Sequence, residues 1–330
     1  MAKTLVDRYG RQMDTLRISL TDQCNLRCLY CMPDEESNLS LRSEPLSFEE
    51  IVKLTRIFIV LGVNKIKLTG GEPLIRKGMV DLIGTLSSLP GLKDLSLTTN
   101  GLFLSFYAER LKKAGLKRIN ISLDTLQREK FKFITGYDRM HEVLAGIKSA
   151  LDTGFMPVKI NAVLLKGMND DEIIDFVNLI HSQNLVVRFI EFMPTCNNLR
   201  NWSKFFVSCD EVLKKICKMG EMVTEEKGIV GSGPAEYFKI AGYQGRLGII
   251  NPVSKPFCHS CCRLRVTSDG KLVLCLHQPT SFDLRPLLKE GKEAELVSLI
   301  KYAVWEKPTG YPTAISASDD KSTIMCQVGG

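Results

Sequence analysis

Short apolar strands alternate with helical patterns over residues 15–192 of this chain. Predicted strands cover residues 15–20, 65–68, 92–98, 118–123, 158–165 and 186–192. Helical patterns cover residues 47–61, 79–86, 103–114, 127–134, 140–151 and 170–181. Strands joined by helical crossovers run parallel, with right-handed connections. The alternation predicts an α/β fold, a partial (β/α)6 TIM-type barrel, with a doubly wound open sheet as the alternative.

The pattern changes after the sixth strand. Beyond residue 194 the chain contains extended segments interrupted by glycine, which are more typical of loops and small strands than of further βα units. We therefore predict two regions, a barrel over residues 1–194 and a C-terminal region over residues 195–330.

Three cysteines follow the first predicted strand at a close spacing. Cys24, Cys28 and Cys31 lie on one short loop. Three thiolates can hold one face of a cubic iron–sulfur cluster and leave the fourth iron without a protein ligand. Zinc is the weaker interpretation, because a structural site needs four protein ligands. A disulfide framework is weaker still, because eleven Cys in 330 residues is a low density and the N-terminus does not resemble a secretory signal.

A second cysteine group lies in the C-terminal region. It consists of Cys258, Cys261 and Cys275, and a hairpin turn predicted at Asp269 and Gly270 would bring the third cysteine back beside the first two. Zinc remains an alternative here, because three further side chains could complete a tetrahedral site: His259, Cys262 and His277.

Two arginines follow this second group. Arg263 and Arg265 alternate on a predicted strand, so both should point to one face, and planar guanidinium groups suit phosphate recognition. Ordinary surface charge is the alternative. An open metal centre beside two arginines favours a nucleotide site.

Several short motifs come directly after predicted strands. TGGEP covers residues 69–73, TTNG residues 98–101, SLDT residues 122–125 and EFMP residues 191–194. Glycines allow close approach of the backbone to a ligand, and ligands bind at the carboxyl ends of parallel strands. The sequence predicts a site built there from several strands.

Charge and hydropathy limit the class of partner. The formal charge of +7, from 44 basic and 37 acidic residues, is dispersed along the chain. Such a modest, dispersed excess is more often a solvated surface than a nucleic-acid site, and it suits a small polyanion equally well. No apolar run is long enough to cross a bilayer. We expect neither a nucleic-acid nor a membrane partner, and a reducing, cytoplasmic location.

The first cysteine spacing, with Tyr30 just before the last cysteine, resembles the signature of the radical S-adenosylmethionine (SAM) superfamily. The resemblance implies that Cys24, Cys28 and Cys31 ligate a 4Fe–4S cluster, which cleaves SAM to a 5′-deoxyadenosyl radical. It also implies a partial barrel of the radical SAM type. The implied SAM contacts are Tyr30, Gly71, Ser122 and Met193.

The resemblance becomes more specific, from a superfamily to one family, when the C-terminal region is included. The chain resembles the GTP 3′,8-cyclase (MoaA) family of molybdenum-cofactor biosynthesis in four features. They are both cysteine groups, the Cys-x-Arg-x-Arg run at residues 261–265, DRYGR at residues 7–11 and a glycine-glycine end. Residues 159–173 and 188–194 are also similar to that family. The resemblance covers nearly the whole chain.

This second resemblance implies a specific reaction. The radical would abstract hydrogen from C3′ of GTP, and C3′ would then bond to C8 of guanine, giving (8S)-3′,8-cyclo-7,8-dihydroguanosine 5′-triphosphate. A second 4Fe–4S cluster on Cys258, Cys261 and Cys275 would bind the guanine. The implied GTP contacts are Arg17, Lys67, Thr98, Lys159, Arg263, Leu264 and Arg265. Gly329 and Gly330 would reach the active site and assist.

The family resemblance also implies partners. They are a flavodoxin- or ferredoxin-like electron donor, a downstream cyclic pyranopterin synthase and a second copy of the chain in a homodimer. Two residues depart from the family pattern, since Lys67 stands where Arg is expected and Cys262 where Asn is expected. Four other cysteines are interpreted as ordinary thiols: Cys196, Cys209, Cys217 and Cys326.

Two competing functions remain open. One is a radical SAM paralogue or peptide maturase with an auxiliary cluster, although such enzymes usually carry more C-terminal cysteines. The other is a non-catalytic metal-binding protein, which would leave the TGGEP turn and the other strand-end motifs unexplained.

Overall fold

A computed structural model of the chain describes residues 4–31, 44–194, 202–218, 223–226, 233–277 and 280–310. Its strands form one twelve-stranded sheet with the order β12-β11-β10-β1-β2-β3-β4-β5-β6-β9-β8-β7. The first six strands are β1 Thr15–Ser19, β2 Lys65–Thr69, β3 Asp94–Thr99, β4 Arg118–Ser122, β5 Val158–Leu164 and β6 Leu185–Glu191. The others are β7 Val223–Glu225, β8 Glu236–Ile240, β9 Arg246–Ile250, β10 Arg263–Val266, β11 Lys271–Val273 and β12 Ser281–Asp283.

The six N-terminal strands are parallel and lie side by side in chain order. A doubly wound sheet reverses its strand order at a switch point, whereas sequential order with right-handed crossovers puts the connecting helices on one side. The open, partial TIM-type barrel is therefore confirmed. The helices are α1 Phe48–Val60, α2 Met79–Ser87, α3 Leu104–Lys113, α4 Arg128–Thr135, α5 Met140–Asp152, α6 Ile173–Ser182, α7 Trp202–Phe205, α8 Cys209–Cys217, α9 Arg285–Lys289 and α10 Glu293–Trp305.

The start and end of α1 follow from its sequence. Ser47 accepts a hydrogen bond from the amide of Glu50, and the Glu50 carboxylate accepts one from the amide of Ser47, which completes a capping box. Gly62, with φ of +99°, follows the last turn. Leu54 and Phe58 are fully buried on the inner face of the helix. The predicted bounds of this helix were thus correct to within a residue.

Strands from the C-terminal region extend the barrel sheet at both edges. β10 pairs parallel with β1, and β9 pairs parallel with β6. Antiparallel strands then continue outward on each side. The sequence analysis expected small strands here but not that they would join the barrel. The division after residue 194 stays a prediction, and residues 195–201 lie outside the described part.

Alternation along the strands separates two faces of the sheet. Leu16 and Ile18 of β1 are fully buried in the hydrophobic core, while Arg17 between them lines a pocket on the opposite face. This period of two is the ordinary consequence of strand geometry. Within the described residues, no helix is both long and apolar enough to span a membrane.

Candidate active site

Strand register collects polar residues on the inner face of the sheet. Arg17 is the partner of Lys67 on one side and of Arg265 on the other. Farther along the sheet, Asn120 is the partner of Lys159. Because residues in register lie on one line across a sheet, side chains distant in sequence become neighbours.

Three of these residues, Arg17, Lys67 and Arg265, border a central pocket inside the partial barrel. Five basic side chains line it: Arg17, Lys67, Arg188, Arg263 and Arg265. The second cysteine group also lines it, together with Thr98, Asn161 and Met193. No acidic side chain is present among the described residues of its wall. The pocket therefore concentrates positive charge.

The pKa values reflect this crowding. Burial, and then the charges of Arg265, Arg263 and Arg188, hold the pKa of Arg17 well below its usual value. Burial followed by the charges of Arg17 and Arg188 does the same to the pKa of Lys67, and the pKa of Arg265 falls to about 10 because of burial and the charge of Arg263. Bound anionic oxygens would relieve both the repulsion and the desolvation.

Sequence reasoning missed Arg188 of β6. Its Nη2 donates to Asn120 Oδ1 at 2.6 Å, and its side chain lies over Gly248 of β9, where a Cβ atom would come within 2.6 Å of Arg188 Cγ. Among the described residues, Arg188 Nε and Asn161 Oδ1 are buried without a hydrogen-bond partner. Both belong to the pocket wall, so they are polar atoms available to a ligand. A basic residue between apolar neighbours in a predicted strand was the available signal.

Two predicted GTP contacts lie away from the pocket wall. Lys159 is 1% exposed, and its Nζ donates to Tyr237 Oη at 2.9 Å. Burial, and then the charges of Arg188 and Arg118, lower the Lys159 pKa to about 7. The side chain of Leu264 is in the hydrophobic core.

The second cysteine group lies at the amino ends of the barrel strands. The amides of Asp14 and Thr15 both donate to the carbonyl of Cys262, just before β10. β11 then returns antiparallel through the hairpin predicted at Asp269 and Gly270, which places Cys275 at the same end. The first group follows the carboxyl end of β1. The two groups therefore lie at opposite ends of the barrel strands, whereas the sequence analysis placed the whole site at the carboxyl ends.

The chemistry of the second group suits a thiolate-ligated metal centre. Burial by itself would raise the pKa of Cys261, but the charges of Arg263 and Lys307 outweigh it and bring the pKa to about 7. A thiol near that value supplies a thiolate ligand readily. Across the described residues, no group of three or more Cys, His, Asp or Glu side chains is arranged to hold one metal ion.

Of the three residues considered as a fourth zinc ligand, only His277 lines the pocket. His259 is exposed. Cys262 is hydrogen-bonded to Asp14, and burial together with that carboxylate raises the Cys262 pKa to about 11.

The first cysteine loop is bound directly to the TGGEP turn. The Gly71 amide donates to the Thr21 carbonyl at 2.7 Å, and the Glu72 amide to the Gln23 carbonyl at 2.8 Å. A Cβ atom on Gly71 would overlap the Gln23 carbonyl, which explains the requirement for glycine. Burial raises the pKa of Cys24 and strongly raises that of Cys28. These thiols would become thiolates when a metal compensates their charge.

Glu72 links three motifs and was also missed. Its buried carboxylate accepts hydrogen bonds from the Thr99 hydroxyl and the Asn100 amide at 2.7 Å each. The Asn100 side chain donates to Asn25 Oδ1 at 2.7 Å and to Cys24 Sγ at 3.8 Å. Burial raises the Glu72 pKa to about 7 against these donors. An acidic residue directly after two glycines was the only signal in the sequence.

Three of the predicted SAM contacts, Tyr30, Gly71 and Ser122, lie at the carboxyl ends of the barrel strands, as the first cysteine loop does. The fourth, Met193, follows β6 and lines the central pocket. The Tyr30 hydroxyl donates to Asp124 Oδ2 at 2.5 Å, and Ser122 ends β4 two residues earlier. Gly329 and Gly330 lie outside the described residues, as do Cys196 and Cys326.

Two family models match the chain. The radical SAM superfamily matches residues 18–180, and the Molybdenum Cofactor Synthesis C family matches residues 185–313. A GTP 3′,8-cyclase of Peptoclostridium acidaminophilum is 49% identical over 290 residues, which is 88% of each protein. A GTP 3′,8-cyclase of Listeria monocytogenes is 39% identical over 332 aligned positions, which is 99% of each.

A solved structure with the same fold is SuiB of Streptococcus suis bound to S-adenosylmethionine. It has a TM-score of 0.56 and 17% identity, over 89% of this chain and 67% of that one. At this identity the likeness concerns the fold alone. The two family models and the near full-length relatives assign the protein more narrowly: the chain belongs to the GTP 3′,8-cyclase family within the radical SAM superfamily.

Proposed function

We propose that this chain is a GTP 3′,8-cyclase, a radical SAM lyase that converts GTP to (8S)-3′,8-cyclo-7,8-dihydroguanosine 5′-triphosphate at the start of molybdenum-cofactor biosynthesis. Family membership supports the activity. The observation that carries the substrate assignment is the central pocket, with five basic side chains and no acidic one in its described wall. Such a pocket is suited to a triphosphate.

The family implies one 4Fe–4S cluster and SAM. We propose that Cys24, Cys28 and Cys31 hold this cluster and that Cys258, Cys261 and Cys275 hold a second. When bound on Cys24, Cys28 and Cys31, the first cluster would supply the electron for cleavage of SAM to methionine and a 5′-deoxyadenosyl radical. The first assignment is supported by the hydrogen bonds that hold the first cysteine loop to the TGGEP turn. The lowered pKa of Cys261 and the shared pocket wall support the second.

The residues of this chain would bind and orient rather than transfer protons. Five basic side chains would hold the triphosphate: Arg17, Lys67, Arg188, Arg263 and Arg265. Thr98 and Lys159 would contact the sugar. Tyr30, Gly71, Ser122 and Met193 hold SAM. Opposite placement of the two cysteine groups leaves the pocket between them, which suits a reaction that depends on positioning one C–H bond.

The partners follow from the chemistry. Cleavage of SAM consumes one electron, and the nucleotide radical left after the C3′–C8 bond forms takes up a second electron and a proton. We therefore propose a flavodoxin- or ferredoxin-like donor, and a downstream cyclic pyranopterin synthase that uses the cyclised nucleotide. A homodimer and a cytoplasmic location are proposed from the family and from the need to keep cluster thiolates reduced.

Anaerobic turnover tests the proposal. Reconstituted protein is mixed with SAM, reductant and each of the four ribonucleoside triphosphates, and 5′-deoxyadenosine and cyclised nucleotide are followed by mass. Of the four nucleotides, we expect only GTP to give a cyclised product. We also expect about eight irons per chain, as two four-iron clusters require. SAM cleavage without a GTP-dependent product would contradict the substrate assignment, and about four irons would contradict the second cluster.

A further inference from the structure

The DRYGR segment, which the proposed function leaves without a role, forms a closed turn near the N-terminus. Val6 and Gln12 form an isolated antiparallel bridge. Asp7 Oδ1 accepts hydrogen bonds from the amides of Tyr9 and Arg11 at 2.9 Å each. Asp7 is 2% exposed. The carboxylate thus stabilises the turn and fixes the position of Arg11.

The guanidinium of Arg11 connects this turn to two distant segments. Its Nε donates to Asp7 Oδ2 at 2.5 Å, and its Nη1 donates to the Cys258 carbonyl at 2.8 Å. Its Nη2 donates to the Pro308 carbonyl at 2.5 Å. Longer contacts reach the carbonyls of Thr309 and Lys307, at 3.4 Å each. Only arginine offers a planar fork with enough donors for this set.

Lys307 connects the same C-terminal segment to the other two cysteines. It is 2% exposed, and its Nζ donates to the carbonyl of Arg263 at 2.9 Å and to the carbonyl of Leu274. Leu274 precedes Cys275 directly, and Arg263 follows Cys261 by two residues. The ammonium charge acts electrostatically on both of these thiols.

Residues 307–310 therefore run along the second cysteine group. A Cβ atom on Gly310 would lie 3.7 Å from Cys258 Cβ, an ordinary van der Waals contact. Cys258 is thus adjacent to this segment. Cys261 and Cys275 are connected to it through the hydrogen bonds of Lys307 to the carbonyls of Arg263 and Leu274.

We propose that Arg11 and Lys307 are positioning residues that join residues 307–310 to the second cysteine group, fix the spacing of its thiols and set the charge beside them. The inference rests on the second cluster of the proposed function. A fixed positive charge beside a thiolate-ligated cluster stabilises its reduced, more negative form, so Lys307 raises the reduction potential.

The test uses the full chain with Cys24, Cys28 and Cys31 replaced by Ala, so that iron reports on the second group alone. Arg11→Lys keeps the charge but loses the fork. Arg8→Lys is the matched control, because Arg8 is exposed and, like Arg11, stacks on the Tyr9 ring, at 5.1 Å and 5.4 Å respectively. The readouts are the electron paramagnetic resonance spectrum of the reduced cluster and amide hydrogen exchange.

We expect Arg11→Lys to shift the spectrum and to speed exchange in residues 258–262 and 307–310 by about tenfold or more, as local opening becomes easier. Arg8→Lys should change neither. An Arg11→Lys chain that matches Arg8→Lys in both readouts overturns the role of Arg11. If the parent chain with its three alanines binds no iron, the second cluster itself is wrong, which is a separate outcome.

Lys307→Met provides an independent measurement should Arg11→Lys fail to fold. Its reduction potential should fall below that of the parent chain, and Lys307→Arg should restore it. A potential that does not change in Lys307→Met overturns the proposed electrostatic role.

Discussion

Arg17 on β1 and Arg265 on β10 are strand partners, although 248 positions separate them in the chain. Strand pairing therefore forces two guanidinium groups onto the same face of the sheet, and both line the central pocket. Their repulsion contributes to the lowered pKa of Arg17. A fold that keeps such a pair without an acidic neighbour in the described pocket wall is built for an anionic ligand.

Arg265→Gln should weaken GTP binding and leave SAM cleavage intact. Loss of a charge-assisted hydrogen bond costs about 1.5–3 kcal/mol, which is about 10- to 150-fold in Kd. Calorimetric titration of the protein with GTP measures the loss, and 5′-deoxyadenosine formation measures cleavage. Cys28→Ala should instead abolish cleavage. Arg110→Gln, on the exposed face of α3, is the matched control and should bind GTP normally. Normal GTP affinity in Arg265→Gln would remove the support for the phosphate role.

Gly71→Ala should separate the TGGEP turn from the first cysteine loop. The new methyl group overlaps the Gln23 carbonyl, and overpacking of this kind costs about 1–3 kcal/mol. Gly84→Ala in α2 is the matched control, because no atom lies within 4 Å of its Cβ position and the change should add about 0.5–1 kcal/mol. Urea unfolding of the metal-free protein measures both. Equal stability of the two variants would contradict the close packing of this turn.

Affinity for GTP should fall as pH rises above about 7, if Lys159 contacts the nucleotide. The pKa of Lys159 in the protein without GTP is about 7, and a bound phosphate or carbonyl oxygen favours the charged form and raises that pKa. Binding then takes up a proton between the two pKa values, so Kd increases by up to about tenfold per pH unit there. Titrations from pH 6 to pH 9 measure this slope, and Lys159→Met should flatten it. Identical slopes in the two proteins would exclude the contact.

Cys262→Ser should leave the iron content unchanged, whereas Cys261→Ser should remove the second cluster. Cys262 is hydrogen-bonded to Asp14 and does not line the central pocket as described, while Cys261 does. Iron is measured after reconstitution in the chain that lacks the first cysteine group. Loss of iron in Cys262→Ser would show that Cys262, which departs from the family pattern, is a cluster ligand.

Features that depend on local periodicity and spacing could be predicted from the sequence. The capping box at Ser47 started α1 where expected because its two hydrogen bonds join residues three apart. Repeated βα units predicted parallel strands with right-handed crossovers, whereas the choice between a sequential and a doubly wound strand order came from the structure. The hairpin at Gly270 was predictable because a left-handed φ of +95° favours glycine there.

Contacts between residues far apart in the sequence became visible only in the folded structure. The register of β10 on β1 brought Arg265 to Arg17, and the pairing of β9 with β6 put Gly248 beneath Arg188. The contacts that Arg11 makes to four carbonyls have no sequence signal, because a carbonyl is the same in every residue. Local patterns specify elements and ligand types, whereas the placement of the two cysteine groups at opposite ends of the barrel strands required the packed sheet.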